Sequence, residues 1–531
     1  MTEHVPQTRP VQDQGARLAD GDWHRVHPLS PAIRSWQLVV FILVIGVQNV
    51  GGDIFSGDLP ERPHVGARLL AGGGLILVAL VGVVLGLAYL SWRMTRFRVT
   101  PDALELHSGV VYRQQRRARL DRLQAVDVVQ PLLARLAGLA RVTLEVAGGS
   151  DSAVTLSYLT ESQATSLRNH LLARAAGLHY ETDEAPEAPE HLVVEVPAPR
   201  LIGSLALSAP AIMAVLAVVA VIGAAAGFGQ LEPVFALFPM VIGVAGVLWG
   251  RFNGGFNFRV ATSPDGIRLR HGLLEQRAQT VPPGRIQAVR VKQPLLWRAA
   301  DWWSVEVNVA GYGSDTGDGR STENVLLPVG TRADALAVLS LVQPELTVEP
   351  GESPAEVVVA GLVGEGPAHG FVTAPEAAKW VDVVAYRRTG ARVTREALLI
   401  RQGRFVRRLD VVPHARSQSW GLRQGPLQRR LGLASFALHS TPGPVTPQVP
   451  HLDAGVAAAL LADQTERARH ARAAAGPERW MEPRPERRHA GPEPGREGGP
   501  GVSGSASASP SPGQEPSSSP PAPGRPGSSP A

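Results

Sequence analysis

The sequence of 531 residues contains no cysteine, and aromatic residues make up only 5% of it. The absence of cysteine excludes a disulfide framework, a thiolate zinc site, an iron–sulfur cluster and a cysteine nucleophile. Because hydrophobic residues make up 44% of the chain, the sequence as a whole is not that of a disordered protein.

Catalytic motifs are also missing. The sequence contains no GxxxxGK[ST] loop, no GxGxxG after a strand, no HExxH helix and no GxSxG turn. The 15 histidines are scattered. We therefore predict no catalytic residue, no metal ligand and no cofactor, and a protein that is not an enzyme. Catalysis by residues that are distant in sequence is the alternative.

Charge is absent from four long apolar runs, Ser35–Gly52, Leu69–Trp92, Leu201–Gln230 and Pro233–Gly250. A bilayer core of about 30 Å needs roughly 20 apolar residues in a helix, so each run predicts a membrane span. The third span has an alternative start at Pro210. A signal peptide is rejected for the first run because no convincing cleavage site follows it. Since ion pathways usually need ionisable groups within the membrane, a transporter is disfavoured.

Arginines flank the ends of these spans. Arg25 and Arg34 precede the first span, Arg93 follows the second, and Arg200 and Arg251 enclose the second pair. The positive-inside rule then predicts a multi-pass protein of the plasma membrane with both termini in the cytoplasm.

Three segments of the chain repeat one pattern: Arg98–Arg135, Arg259–Arg298 and Arg392–Arg429. In each repeat, a glycine precedes an arginine by 13 positions. That arginine is followed by glutamines at +2 and +8 and by a second arginine at +13. We interpret this signature as structural; its members are Gly109, Arg122, Gln124, Gln130, Arg135, Gly272, Arg285, Gln287, Gln293, Arg298, Gly403, Arg416, Gln418, Gln424 and Arg429.

The repeats predict strands followed by a helix. Leu104 and Leu106 share one face of an alternating segment, as do Ile267 and Leu269, which is typical of a half-buried strand. The signature glycine then closes a hairpin. Each repeat is predicted to end in an amphipathic helix, at Glu161–Ala176, Arg332–Leu341 and Ala454–Ala475. This order suits a small β-barrel or bent sandwich with a helix.

The repeats resemble the YdbS/YdbT-like bacterial pleckstrin-homology (PH) domain membrane proteins. The resemblance rests on RLQAVDVVQPLLAR and RIQAVRVKQPLLWR in the first two repeats, and on WHRVHPLSP before the first span. It implies PH-like domains of two bent antiparallel sheets with a C-terminal helix, on the cytoplasmic side of the membrane. The expected fold is a mixed membrane protein with four transmembrane α-helices in two hairpins and three such cytoplasmic domains.

These observations divide the chain into nine segments. They are an N-terminal segment (1–34), the first transmembrane hairpin (35–92), PH-like domain 1 (93–180), an acidic linker (181–199), the second hairpin (200–250), PH-like domain 2 (251–346), a linker (347–380), PH-like domain 3 (381–475) and a tail (476–531). The tail is predicted to be disordered, because it is dominated by Gly, Ser, Pro and Ala toward its end.

Positive charge is concentrated in the repeats. The windows Arg93–Arg135, Arg251–Arg298 and Arg387–Arg430 carry a net +22, against +5 for the whole chain, so the remainder carries −17. The predicted contacts with anionic lipid are Arg113, Arg116, Arg117, Arg119, Arg404, Arg407 and Arg408. The alternative interpretation is a set of solvated strand edges.

The leading functional hypothesis is a non-enzymatic membrane protein whose PH-like domains bind anionic lipid headgroups or protein partners. The alternatives are a scaffold that assembles as a homo-oligomer without a lipid ligand, and a component of a transport complex. Nucleic acid is not expected as a partner, because the basic segments contain few aromatic residues and adjoin membrane spans.

Overall fold

The computed structural model describes most of the chain between residues 21 and 474. The ranges are 21–55, 63–109, 113–146, 153–175, 190–229, 232–263, 266–281, 283–310, 324–343, 346–348 and 350–474. The tail predicted to be disordered (476–531) and the acidic run Glu181–Glu184 lie outside the described residues.

The helices fall into long apolar ones and shorter ones that follow strands. In chain order they are α1 Ser30–Phe55, α2 Pro63–Met94, α3 Leu132–Leu136, α4 Glu161–Ala175, α5 Ala198–Ala206, α6 Ala209–Phe228, α7 Glu232–Gly255, α8 Arg332–Val342, α9 Pro354–Val363, α10 Pro426–Arg430 and α11 Ala454–Ala474.

Among the described residues, three helical segments are long and apolar enough to cross a membrane: Gly74–Met94, Ala209–Phe228 and Leu237–Gly255. The first predicted span lies within α1, whose side chains are only partly described, and it stays a prediction. The candidate span begins at Ala209, beside the predicted alternative start at Pro210, and not at Leu201. Leu201 belongs to the separate helix α5, and its side chain is buried in a hydrophobic core that contains residues of the β-strands.

The remaining elements are short antiparallel strands. They are β1 His24–Arg25, β2 Arg96–Val99, β3 Ala103–Ser108, β4 Gln114–Arg119, β5 Leu123–Pro131, β6 Leu139–Val146, β7 Val154–Thr160, β8 His191–Glu195, β9 Arg259–Ser263, β10 Gly266–His271, β11 Glu275–Val281, β12 Ile286–Pro294, β13 Trp302–Val309, β14 Val325–Thr331, β15 Val372–Thr373, β16 Gly390–Val393, β17 Ala397–Gln402, β18 Val406–Pro413, β19 Ser419–Arg423, β20 Leu433–His439 and β21 Gln448–Asp453.

Successive repeats share their sheets. Within the described residues, the first sheet contains β1–β4 and the last contains β19–β21. Between them lie two seven-stranded sheets, ordered β7-β6-β5-β11-β10-β9-β8 and β14-β13-β12-β18-β17-β16-β15. Each large sheet therefore combines the second half of one repeat with the first half of the next. The sequence had predicted separate barrels or sandwiches.

Two strand pairs join the repeats. At the first joint, Gln130 of β5 lies opposite Gln276 of β11. At the second joint, Gln293 of β12 lies opposite Arg407 of β18. The two joints have the same register, because Pro131 lies opposite Glu275 just as Pro294 lies opposite Val406.

The helices α4, α8 and α11 begin at the predicted residues and end within one residue of the predicted ends. Their apolar sides complete the cores; Leu167 and Val338, for example, are fully buried. The signature glycines Gly109, Gly272 and Gly403 all have positive φ, at 106°, 111° and 80°. This confirms the hairpin turns that the glycines predicted.

Segments that were assigned to linkers contain ordered elements. The strand β8 lies within predicted linker 181–199 and pairs with β9. The strand β15 and the helix α9 lie within predicted linker 347–380. The side chain of Arg268 in β10 is only 4% exposed and contacts Glu190 at 2.6 Å. The cause is the position of Glu190, which directly precedes β8.

A buried ion pair lies in the second joint. Arg290 of β12 donates through Nε and Nη2 to the two carboxylate oxygens of Asp410 of β18, at 2.7 and 2.8 Å. The side chain of Asp410 is completely buried and that of Arg290 is 7% exposed. Arg290 also donates to the carbonyl of Pro444 at 2.8 Å, so the guanidinium connects the joint to the third repeat.

We expect Asp410→Leu to destabilise the protein by roughly 3–5 kcal/mol, because it leaves the Arg290 guanidinium buried without its carboxylate. The double variant Arg290→Met/Asp410→Leu should recover most of the loss. The exposed pair Arg467–Asp463 provides the control, and Asp463→Leu should cost less than about 1 kcal/mol. Thermal unfolding in one detergent measures all three, and equal losses in Asp410→Leu and Asp463→Leu would contradict the account.

Candidate functional site

The second repeat is attached directly to the end of the helix α7. The backbone N–H of Gly272 donates to the carbonyl of Phe256 at 2.8 Å, and that of Leu273 donates to the carbonyl of Asn253 at 3.0 Å. The Asn253 side-chain oxygen accepts from the N–H of Leu274 at 2.7 Å. The β10–β11 hairpin turn therefore lies at the end of a helix that can cross a membrane.

The helix α5 provides a second attachment. The indole of Trp297, just after β12, donates to the carbonyl of Ser204 at 3.2 Å. A Cβ on Gly203 would lie 2.8 Å from the Trp302 ring, so only glycine allows this contact. Because α6 begins three residues after the end of α5, the turn that follows β12 lies near the start of a span.

The first repeat is attached in a similar way to α2 and to the segment before α1. The Trp92 indole, in the last turns of α2, donates to the carbonyl of Val26 at 2.9 Å. The strand β1 pairs with β2, and the Arg98 guanidinium lies 4.8 Å from the centre of the Trp23 ring. These contacts account for the WHRV part of the N-terminal motif.

At the first joint, the β10–β11 turn lies at the same end of the sheet as the turn that follows β5. At the second joint, the β17–β18 turn lies at the same end as the turn that follows β12. The helices α7 and α5 adjoin this end, which we call the helix-proximal end. This end carries large apolar side chains that are at least 37% exposed: Leu132, Leu133, Leu136, Leu274, Leu295, Leu296 and Phe405. Apolar side chains scattered singly over a surface are ordinary, but a group at one end marks an interaction surface.

The second signature arginine connects successive repeats. Arg135 donates through Nη1 to the Leu273 carbonyl at 3.3 Å, across the first joint. Arg298 donates to the Arg404 carbonyl and, at 3.4 Å, to the Phe405 carbonyl across the second joint. These contacts support the structural interpretation of this position. In the third repeat Arg429 is exposed.

The other signature residues vary in their surroundings. The side chains of Gln130, Gln287 and Gln293 are buried, and those of Gln418 and Gln424 are exposed. Arg285 and Arg416 are half-buried. The side chains of Arg122 and Gln124 lie outside the described residues, so the proposed role of the first arginine stays a prediction in that repeat.

The lipid-contact residues predicted in the first repeat lie along β4 and its turn. Arg113 is exposed just before β4, at the end of that strand where the hairpin turn lies. Arg116 donates to the Ala153 carbonyl at 3.2 Å, and Arg117 lies 3.6 Å from Glu105. Arg119 lies at the opposite end of β4 and forms two bonds with Asp121, of 3.0 and 2.7 Å. The strand direction therefore separates Arg119 from the others.

The predicted contacts in the third repeat are closer together. Arg404 is exposed within the turn, Arg407 donates to the Gln293 side-chain oxygen at 3.2 Å, and Arg408 lies opposite Lys292. Sequence reasoning did not assign Arg298 to this group, although its guanidinium reaches the same turn. The available signal was the position of Arg298, four residues after the strand β12 that forms one side of the second joint.

A polar cavity of about 430 Å³ lies at the first joint. Its walls include four arginines, three of which are paired with carboxylates: Arg259 with Glu195, Arg270 with Glu190 and Arg277 with Glu275, at 2.8–2.9 Å. The fourth, Arg168, donates to the Thr280 hydroxyl. In the part of the chain that the structure describes, no group of three or more histidines or carboxylates converges on a metal-sized site.

His271 lies at the wall of this cavity. Burial lowers the pKa of its imidazole to about 4, and the positive charge of Arg277 acts in the same direction, whereas the bond to the Gly254 carbonyl opposes the change. The imidazole Nδ1 lies 2.8 Å from that carbonyl, and the ring stacks on Phe258 with 5.0 Å between centres.

Because the folded-state pKa of His271 lies below its ordinary value of about 6.5, its stabilising contribution is complete above that value. It is lost as the pH falls toward 4, to a total of roughly 3 kcal/mol. We expect wild type to lose more stability than His271→Gln between pH 7 and pH 4.5, measured by thermal unfolding in detergent. Parallel stability curves for the two proteins would contradict this prediction.

Comparison with known proteins identifies relatives of the chain. A sequence profile described as "Bacterial PH domain" matches residues 42–175, 201–346 and 357–468, which together make up well over half of the chain. The chain is also 21% identical over 307 residues to the "UPF0699 transmembrane protein YdbT" of Bacillus subtilis (strain 168). That alignment covers 52% of this chain and 62% of the curated relative.

Proposed function

Because the chain belongs to the bacterial PH domain family, we propose that it is a non-enzymatic membrane protein that holds three PH-like repeats against the anionic cytoplasmic leaflet. The YdbT relative is named a transmembrane protein, and three helical segments here are long and apolar enough to span a membrane. The ligand in this proposal is the anionic lipid headgroup; a protein partner is the alternative.

The observation that carries the proposal is the set of side chains exposed at the helix-proximal end. The side chain of Phe405 is 63% exposed, that of Leu295 47% and that of Leu274 37%. An exposed guanidinium group precedes Phe405, at Arg404, and another lies at the equivalent hairpin of the first repeat, at Arg113. An apolar side chain that enters the headgroup region, with a cation at the level of the phosphates, is the combination that binds an anionic membrane surface. Each basic residue near such a surface contributes about 1 kcal/mol.

The scaffold alternative would pair sheet edges of different copies, and β4 and β19 are the edge strands equivalent to those paired at the joints. The strand β4 reads QQRRAR with five of its six residues exposed, and β19 ends in Arg423. The joined strands β5 and β12 are instead rich in buried valine. Two copies of the basic strand β4 repel each other, and β4 resembles the polar ends that terminate repeat arrays. Charge therefore favours lipid binding over self-assembly.

We expect anionic lipid to protect the turns at the helix-proximal end from amide hydrogen exchange. The full chain is reconstituted in nanodiscs of phosphatidylcholine, alone or mixed with phosphatidylglycerol, and amide hydrogen exchange is measured at residues 403–408 and 132–137. Exchange should be slower in the anionic discs, and high salt should remove the difference because it screens exposed charges. Equal exchange in both discs would contradict the lipid hypothesis.

The cytoplasmic orientation is tested separately. Reporters of compartment fused at Pro189 and after the last residue should both give a cytoplasmic signal, because arginines flank the ends of the spans on that side. An external signal at either position would overturn the proposed orientation.

A further inference from the structure

The second joint brings three guanidinium groups to one turn at the helix-proximal end of the sheet. Arg298 comes from the turn after β12, whereas Arg404 and Arg407 come from the β17–β18 hairpin of the next repeat. Arg298 donates to the Arg404 carbonyl, and Arg407 donates to the Gln293 side-chain oxygen at 3.2 Å. We call Arg298, Arg404 and Arg407 the joint arginines.

No carboxylate is paired with the joint arginines. Among the described residues, none of the three forms an ion pair, and Glu365 is the carboxylate whose charge acts on Arg298 without contacting it. Burial lowers the pKa of Arg298, and the positive charges of Arg407 and Arg404 lower it further. The buried Nε of Arg298 has no hydrogen-bond partner. The turn therefore holds an excess of positive charge and an unused donor.

Two neighbouring arginines have a different role. Arg388 donates to the carbonyls of Gly361 and Gly364 at the end of α9, both at 2.9 Å. Arg401 donates to the Ala360 carbonyl at 3.3 Å, and its guanidinium lies 4.3 Å from the centre of the Phe371 ring. These groups bind the C-terminal carbonyls of α9, as cations do at helix ends. The joint arginines contact no helix end in this way.

The first joint shows that the arginines of the turn are not required for pairing. It has the same register, but Leu273 and Gln276 take the places of Arg404 and Arg407 after the signature glycine. Glu275 takes the place of Val406, and it pairs with Arg277 at 2.9 Å and with Arg141 at 3.8 Å. The same backbone arrangement is therefore neutralised at one joint and left positive at the other.

We propose that the joint arginines bind the phosphate of an anionic lipid, with Phe405, Leu295 and Leu296 inserted among the adjoining acyl chains. Guanidinium groups bind phosphate oxygens through paired N–H donors. The three apolar side chains are 63%, 47% and 44% exposed, and they border the turn. This inference rests on the proposed function and adds the place and the chemistry of the contact.

The test uses the full chain in detergent micelles, titrated with phosphatidylglycerol or phosphatidylcholine, with bound lipid counted by native mass spectrometry. Wild type should bind phosphatidylglycerol more tightly than phosphatidylcholine. Arg404→Gln/Arg407→Gln should weaken phosphatidylglycerol binding roughly thirtyfold, about fivefold for each charge removed. The control Arg395→Gln/Arg469→Gln removes two exposed charges away from the turn and should change binding less than about twofold.

A second variant covers the case in which the first one folds poorly. Val406→Glu brings to the second joint the carboxylate that Glu275 provides at the first, in a register that already accommodates it. It keeps all three arginines and should also weaken phosphatidylglycerol binding at least tenfold, because the added carboxylate competes with the phosphate.

Each outcome has one meaning. Equal binding of the two lipids by wild type contradicts both the proposed function and this inference. A preference for phosphatidylglycerol that survives in both turn variants contradicts this inference alone. Inorganic phosphate is the third arm: if it slows hydrogen exchange at residues 403–408 as strongly as the lipid does, the ligand is free phosphate and the lipid assignment is wrong.

Discussion

The pairing of strand edges between successive repeats is the constraint on which the rest of the structure depends. An isolated repeat would leave β5 or β12 with a row of unpaired backbone groups along strands that are buried on both faces here, which favours aggregation. Here β11 and β18 cover these edges in identical register. The three repeats consequently form shared sheets. Among the described residues, β4 and β19, the strands equivalent to those paired at the joints, lie at sheet edges.

Shared sheets also determine what meets at the membrane. Antiparallel pairing places the β10–β11 turn beside the turn after β5, and the β17–β18 turn beside the turn after β12. The β10–β11 turn is attached to the end of the long helix α7 through Asn253, and the turn after β12 is attached to the short helix α5 through Ser204. Apolar side chains and guanidinium groups from different repeats therefore collect at one end. A single repeat would supply only half of each such group.

Local features were predictable from the sequence, and pairing between distant segments was not. Gly272 and Gly403 announce their turns because a Cβ at either position would lie within about 2 Å of a backbone oxygen. The ion pair of Arg290 with Asp410 joins residues that are 120 positions apart, and nothing in the local pattern connects them. The helix α5 was merged with a span because it contains no charge after Arg200. The grouping of the joint arginines was not predicted, because Arg298 reaches a turn that belongs to another repeat.

The absence of cysteine permits a direct test of the central claim, which is that the joint turns lie at the membrane surface. A single cysteine replaces either Phe405 or Arg395 and carries a spin label in the reconstituted full chain. Arg395 lies in the turn between β16 and β17, at the end of β17 opposite to Phe405. We expect the label at 405 to be accessible to oxygen dissolved in the bilayer and shielded from a water-soluble nickel complex. The label at 395 should show the reverse. Equal exposure of both labels to the aqueous reagent would contradict the account.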